Sequence, residues 1–300
     1  MTVAIDSLTL YRSAVADNRR WAGFTPRAND IFVCTPAKCG TTWMQTIVAS
    51  LLFPDGRLPG RVLELSPWIE AEFHPVGEVL ARLEAQRHRR FMKTHTPADG
   101  IPWFPDAKYV FVARDGRDAF MSMCNHLARF RNDVREELNA RIAGESVMPM
   151  PPWTGDVHGF FAVWLPALGL LEHVAGFWQR RRQPNLLLVH YNDLKADLAG
   201  EMRRVAAFLE TPVPAALWPQ AVERCTFEAM RSREAELGEF ERLFQGGAKS
   251  FLFQGTNGRW RDVLTPAELE AYAASVKELL PLEGAAWLEG GRLGGDPRSA

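Results

Sequence analysis

Asp30-Ile-Phe-Val-Cys-Thr-Pro-Ala-Lys-Cys-Gly-Thr-Thr-Trp-Met-Gln-Thr46 is the stretch whose reading decides the fold. The apolar run Ile31 to Cys34 reads as a buried strand that stops at Pro36. Lys38 follows on a short loop, and Gly40-Thr41-Thr42 opens a helical pattern carrying Trp43, Ile47, Val48 and Leu51. Such a turn is an anion site, because the first turn of a helix leaves N–H groups unpaired at the positive end of its dipole. The spacing differs from the common triphosphate loop, G-x-x-x-x-G-K-[ST], whose Lys directly follows the second Gly. Here Lys38 precedes Gly40, and Thr35, Pro36 and Ala37 fill the turn where an earlier glycine would stand. Taken alone, the loop also suits a plain strand-to-helix turn with an exposed lysine.

Outward from this loop, strands alternate with helical patterns. Phe91-Met-Lys-Thr-His95 ends at Pro97 and places Lys93 and His95 near its carboxyl end. Lys108 to Arg114 is a third strand, followed by Asp115-Gly-Arg-Asp118 and a helix through Phe120, Met121, Cys124 and Leu127. Leu186 to Tyr191 is a fourth, with Asn192-Asp193 capping an amphipathic helix through Leu194, Leu198, Met202, Val205 and Leu209. This alternation predicts a single α/β domain, a central parallel sheet flanked by helices, with ligands collecting beyond the carboxyl ends of the strands. Arg114 and Ser122 are placed to grip a second phosphate, Arg by a forked contact and Ser by its hydroxyl, or Arg114 pairs with Asp115 or Asp118.

The remaining segments read as accessory. Residues 1–27 suggest a leader helix. Residues 131–160 suggest a lid or insertion, charged at first and then rich in Gly, Pro and aromatics, and residues 290–300 a frayed tail. Arg180-Arg181-Arg182 complements the last turn of a helix.

Composition narrows the function class. The chain has 300 residues, 47% apolar and 24% charged, ordinary values for a globular domain with a sizeable core. A formal net charge of −1 argues against a nucleic-acid partner. Cys34, Cys39, Cys124 and Cys225 form no Cys-x-x-Cys pair and have no His at zinc-ligand spacing, so reduced buried thiols are expected and no metal site. The longest apolar stretch, Phe160 to Leu171, is too short to span a bilayer and contains Pro166. The expectation is a cytoplasmic protein with no membrane partner.

Five motifs in unbroken order resemble the cytosolic sulfotransferases. Ala37 to Trp43 is similar to their P-K-S-G-T-T-W, Lys93 to Pro97 to K-T-H-L-P, and Val112 to Ser122 to V-A-R-N-x-K-D-x-x-x-S. His190 to Asp197 resembles F-Y-E-D-L-K-E-D, and Thr226 to Met230 resembles S-F-x-x-M. The resemblance spans roughly residues 20–285 and implies 3′-phosphoadenosine 5′-phosphosulfate (PAPS) as co-substrate. It assigns Lys38, Cys39, Gly40, Thr41 and Thr42 to the phosphosulfate and Trp43 to the adenine. Arg114 and Ser122 take the 3′-phosphate, Gly255 the late loop beside it, and Tyr191, Thr226, Phe227 and Met230 the nucleoside.

The resemblance makes His95 the base that takes the acceptor's hydroxyl proton. Lys38 neutralises the leaving oxygen, and Lys93 shares the transition-state charge. Sulfuryl transfer needs no metal in this scheme, because the sulfuryl group carries less charge than a phosphoryl one. The acceptor is expected to be a small hydrophobic or aromatic hydroxyl compound, in a pocket lined by Trp68, Phe73, Trp103, Phe104, Phe130, Trp153, Phe160 and Trp164.

Three positions depart from the family. Cys39 replaces a Ser. Phe253-Gln254-Gly255 stands where the family has R-K-G, leaving Arg259 or Lys249 as replacement cations. Thr265-Pro266 interrupts the dimer signature K-x-x-x-T-V-x-x-x-E, so a monomer or weak homodimer is expected. Two other readings stay open on the sequence, an ATP-dependent small-molecule kinase and a non-catalytic nucleotide-binding protein on the same fold.

Overall fold

The computed structural model describes residues 7–298 apart from 168 and 239, and apart from the side chain of Ala248. Four strands, β1 (Ile31–Cys34), β2 (Phe91–Thr94), β3 (Lys108–Ala113) and β4 (Leu186–His190), form one sheet in the order β2-β1-β3-β4. Every pairing is parallel, with Ile31 opposite both Phe91 and Lys108 and Ala113 opposite His190. Almost every strand residue is buried, which explains their continuous apolar runs.

Alternate strand residues enter two separate cores. Ile31, Val33, Val110, Val112, Leu187 and Val189 pack with Met44, Ile47, Val48 and Leu51 of helix α1 (Thr41–Leu52). Phe32, Tyr109, Phe111, Leu186 and Leu188 pack on the other face with Phe120, Phe177 and Trp287. The chain leaves β1 for β2 on one side and then returns to β3 on the other. Loops from β1 and β3 therefore part at the switch point where open parallel sheets bind ligands.

Several accessory segments differ from the sequence reading. The leader helix is absent from the described part of residues 1–27. Arg12 and Asp17 form an antiparallel bridge, and a 3-10 helix follows over Asn18–Gly23, capped by the Asp17 carboxylate. Asn18 anchors it by donating to the carbonyls of Thr9 and Gly100, both at 2.8 Å. Residues 131–160 contain a regular helix, Asn132–Arg141, and Ser13 bridges Met148.

The helix after β4 is two helices, Tyr191–Ala196 and Leu198–Phe208, and neither is capped by Asn192-Asp193. The His190 imidazole accepts from the Asn192 N–H, and Asp197 accepts from Gly200. The tail is packed through residue 298: the Arg292 N–H donates to the Asp193 carboxylate, and the Arg298 guanidinium donates to the Leu186 carbonyl.

Val157–Gln179 is long and apolar enough, at 23 residues, to cross a membrane by length and composition. The structure folds it as two helices, Val157–Ala167 and Leu170–Gln179. Gly169 is left-handed at the start of the second, and Phe161, Trp164, Val174 and Phe177 point into the core. Pro266 lies at the first turn of helix Pro266–Leu279, where its missing N–H costs nothing, and Thr265 and Glu268 cap that turn reciprocally.

Candidate active site

The loop after β1 is shaped by two left-handed residues. Gly40 has φ +103°, and a Cβ there would lie 3.0 Å from the Tyr191 ring, so only glycine fits. Lys38 also has a positive φ, +70°, a conformation that costs a non-glycine residue about 1–3 kcal/mol. No side chain caps α1, whose amino end therefore faces the loop with its N–H groups available. The Thr35 and Thr41 hydroxyls share a 2.6 Å hydrogen bond across the loop. Cys39 is buried, and burial first of all pushes its thiol up to about 12, so it stays neutral and contributes its backbone. All four cysteines are free and buried, as expected.

Beside this loop the end of β2 brings in Lys93 and His95. The His95 Nδ1 lies 2.8 Å from the Thr35 carbonyl, which only accepts, so Nδ1 carries the proton and Nε2 holds the lone pair. The imidazole meets the Trp68 ring edge-on at 4.8 Å, and the Lys93 ammonium lies over the same indole at 4.9 Å. Burial, and then Lys93, lower the His95 pKa to about 3, leaving the ring neutral with its Nε2 lone pair unprotonated.

Lys38 is brought down to about 7 by burial, then by Arg114 and Lys93, and Lys93 to about 8 by burial. The Lys38 Nζ is 3.3 Å from the His126 Nδ1 and 4.3 Å above the Phe251 ring. Four nitrogen bases, Lys38, Lys93, His95 and His126, from three parts of the chain thus crowd around one another, and the two lysines supply positive potential that suits an anionic ligand.

Beneath them lies Glu70. Its Oε1 accepts from the Trp21 Nε1 at 3.0 Å, from the Thr96 hydroxyl at 3.0 Å and from the Thr94 hydroxyl. The bonds to Thr94 and Thr96 hold the chain on either side of His95, just beyond β2. Burial raises the Glu70 pKa.

At the other end of the crevice, Arg114 does not pair with Asp115. That carboxylate caps helix Gly116–Arg129 and takes a forked contact from Arg117, at 3.0 and 2.7 Å. The Arg114 guanidinium reaches instead to the Asn257 side-chain oxygen (2.7 Å) and the Thr256 carbonyl (3.0 Å), and stacks 4.2 Å over Tyr191. Tyr191 in turn meets Trp43 edge-on at 5.1 Å, and the Trp43 indole N–H donates to the Cys225 carbonyl at 2.7 Å.

The late loop is pinned elsewhere too. Gly258 N–H donates to Asp118 at 2.6 Å, and Lys195 donates to the Gly255 carbonyl at 2.7 Å. Gly255 has φ +63°, with Phe227 where a Cβ would point. Arg259 sits 5.3 Å over the Phe253 ring, close enough to Arg114 that their charges repel.

Of the residues singled out in the sequence, Lys38, Lys93 and His95 converge, as do Trp43, Arg114 and Tyr191, while Phe227 meets Gly255. Ser122 lies on helix Gly116–Arg129, and the Thr226 hydroxyl is spent capping helix Phe227–Ser232. Met230 is buried in the core.

The proposed acceptor lining splits. Trp68 and Phe73 face each other beside His95, and Phe130 packs near His126. Trp103 and Phe104 belong to the core against Tyr109 and Phe24. Phe160 and Trp164 pack on Phe120, and Trp153 on Phe160. His126, Asn257 and Asp118 were not foreseen as site residues. His126 is four residues after Ser122 on the same helix, and that spacing was the signal available.

A family model for the sulfotransferase domain matches residues 28–282. A "Glycolipid sulfotransferase" of Mycobacterium bovis (strain BCG / Pasteur 1173P2) is 34% identical over 320 residues, covering 96% of each chain. The "Sulfotransferase 1C2" of Homo sapiens is 25% identical over 281 residues, covering 88% of each. Among solved structures, mouse sulfotransferase SULT7A1 complexed with PAP superposes with a TM-score of 0.62 at 18% identity, covering 85% of this chain and 84% of the other. Retinol dehydratase in a complex with retinol and PAP gives 0.64 at 21%, covering 85% and 82%. The fold of these structures is the one described above, and by the match over most of its length the chain belongs to the sulfotransferase family.

Proposed function

We propose that the protein transfers the sulfuryl group of PAPS to a hydroxyl of a small acceptor carrying a hydrophobic or aromatic portion. The observation that supports this most is the bond from the His95 Nδ1–H to the Thr35 carbonyl, which leaves the lone pair on Nε2 and holds the ring next to the loop of Lys38. In the reaction the acceptor oxygen forms a bond to sulfur as the bond from sulfur to the phosphate oxygen breaks. The acceptor's proton goes to Nε2 of His95, and the charge left on the phosphate oxygen is met by Lys38 and the amino end of α1.

In this reading Lys38 to Thr42 hold the phosphosulfate, Trp43, Tyr191 and Phe227 surround the nucleoside, and Arg114, Ser122 and Arg259 take the 3′-phosphate. Arg259 supplies the charge that Phe253-Gln254 lacks. Trp68 and Phe73 contact the acceptor. The relatives named as glycolipid sulfotransferases extend the acceptor class to a sugar hydroxyl on a lipid.

The test is to incubate purified protein with PAPS and a panel of phenols, alcohols and glycolipids and to follow adenosine 3′,5′-bisphosphate. Release dependent on an acceptor is expected, and its absence across the panel defeats the reading. Calorimetry with ATP–Mg²⁺ against the bisphosphate separates it from a kinase.

A further inference from the structure

His126 is a second imidazole in the reaction centre that no motif assigns. It lies in the last turn of helix Gly116–Arg129, 88 positions from Lys38 in sequence, and its ring packs at 4.8 Å against Phe244 and 5.9 Å from Phe130. Its Nδ1 is 3.3 Å from the Lys38 Nζ. We propose that His126 is a positioning residue for Lys38: its neutral imidazole accepts the lysine ammonium at Nδ1, fixing where that charge waits and favouring its protonated form.

The direction of the bond follows from the surroundings. Burial, then Lys38, His95 and Lys93, hold the His126 pKa well below its ordinary value, so the ring is neutral. A charged lysine has only donors, so Nδ1 accepts and the ring proton is on Nε2. The groups facing Lys38 otherwise press the other way. Burial, Arg114 at the end of β3 and Lys93 at the end of β2 favour the neutral amine, and Cys39, itself protonated, offers little relief. The Phe251 ring, 6.2 Å from the imidazole, presents its face to the same ammonium. An imidazole acceptor and an aromatic face are then the two features that favour the ammonium.

The proposal rests on reading Lys38 as the cation of the donor loop, and its first test does not depend on turnover. Trace acetylation with acetic anhydride at a series of pH values, read by mass spectrometry at Lys38, reports the protonation of that amine alone. In His126→Phe, which keeps an aromatic ring among Phe130 and Phe244, the midpoint is expected to fall by about one pH unit. His126→Asn places an amide oxygen near the Nδ1 position and is expected to restore part of the shift.

In turnover, the same variants should lose kcat/KM for the donor at pH 7.5 by about tenfold for Phe and less for Asn, with the acceptor KM unchanged. An unshifted midpoint in His126→Phe overturns the proposal. So does a raised acceptor KM with unaltered donor kinetics, which would make His126 a wall of the acceptor pocket. If the phenylalanine variant does not fold, His126→Ala adds no bulk and carries the same expectations.

Discussion

The carbonyl of Thr35 and the Nδ1–H of His95 are joined by a 2.8 Å hydrogen bond that ties the ends of β1 and β2 together. One backbone oxygen thereby sets the tautomer of the proposed base and its distance from the loop of Lys38. His95→Asn keeps a short donor for Thr35 and removes the base. Its rate is expected to fall by a factor on the order of 10²–10⁴ while bisphosphate binding by calorimetry stays near wild type. An unchanged rate removes His95 from the mechanism.

Donor binding should take up protons. Lys38 and Lys93 stand at about 7 and about 8, so at pH 8 each is substantially deprotonated, and a bound phosphate raises both. Calorimetry of the bisphosphate at pH 8, in buffers of different ionisation enthalpy, is expected to show net proton uptake. Affinity should decline as pH rises through 7 to 8. Release of protons, or none exchanged, contradicts the assigned site.

Arg259 is assigned the charge that Phe253 and Gln254 do not supply. Removing a guanidinium from a phosphate contact forfeits about 1.5–3 kcal/mol. Arg259→Ala should therefore weaken adenosine 3′,5′-bisphosphate by at least about tenfold and leave AMP, which has no 3′-phosphate, almost unaffected. Equal loss for both ligands would place Arg259 elsewhere on the nucleotide.

Acid should unfold the protein through buried imidazoles. Burial lowers His173 and His95 to about 3 and His190 to about 4, against an ordinary 6.5. Between those values the unfolded chain binds more protons, so stability is full above pH 6.5 and falls as pH drops towards 4. Each group contributes up to about 1.4 kcal/mol per pH unit. Denaturant midpoints measured from pH 7.5 to 4.5 should decrease steadily; a flat profile means these rings are hydrated.

The sheet was legible because buried parallel strands leave an unmistakable mark, four apolar runs each ending in a polar turn. Lys38, His95 and Arg114 were legible as members of short contiguous motifs. The break at Asp197 was not, since Leu194, Leu198, Met202 and Val205 keep helical spacing across it while the cap comes from within. Nor was the packed tail, whose anchors Asp193 and Leu186 lie about a hundred residues away. His126 shows the same limit most plainly. On its own helix it is one polar residue among several, and only the return of a distant loop makes it a neighbour of Lys38. The aromatics are hard to sort for another reason, because Trp103 and Trp164 are alike in composition to Trp68, and only three-dimensional position puts the first two against the core and Trp68 beside His95.

The guanidinium of Arg114, the group proposed to meet the 3′-phosphate, already holds three protein oxygens, at Lys38, Thr256 and Asn257. An arriving anion exchanges partners with it, and a departing one hands the charge back. The buried cation would keep oxygen partners throughout that exchange, and the 253–258 segment is held by Arg114, Asp118 and Lys195. On the proposed site, product departure then turns on a swap of hydrogen bonds at one side chain and not on refolding of a loop.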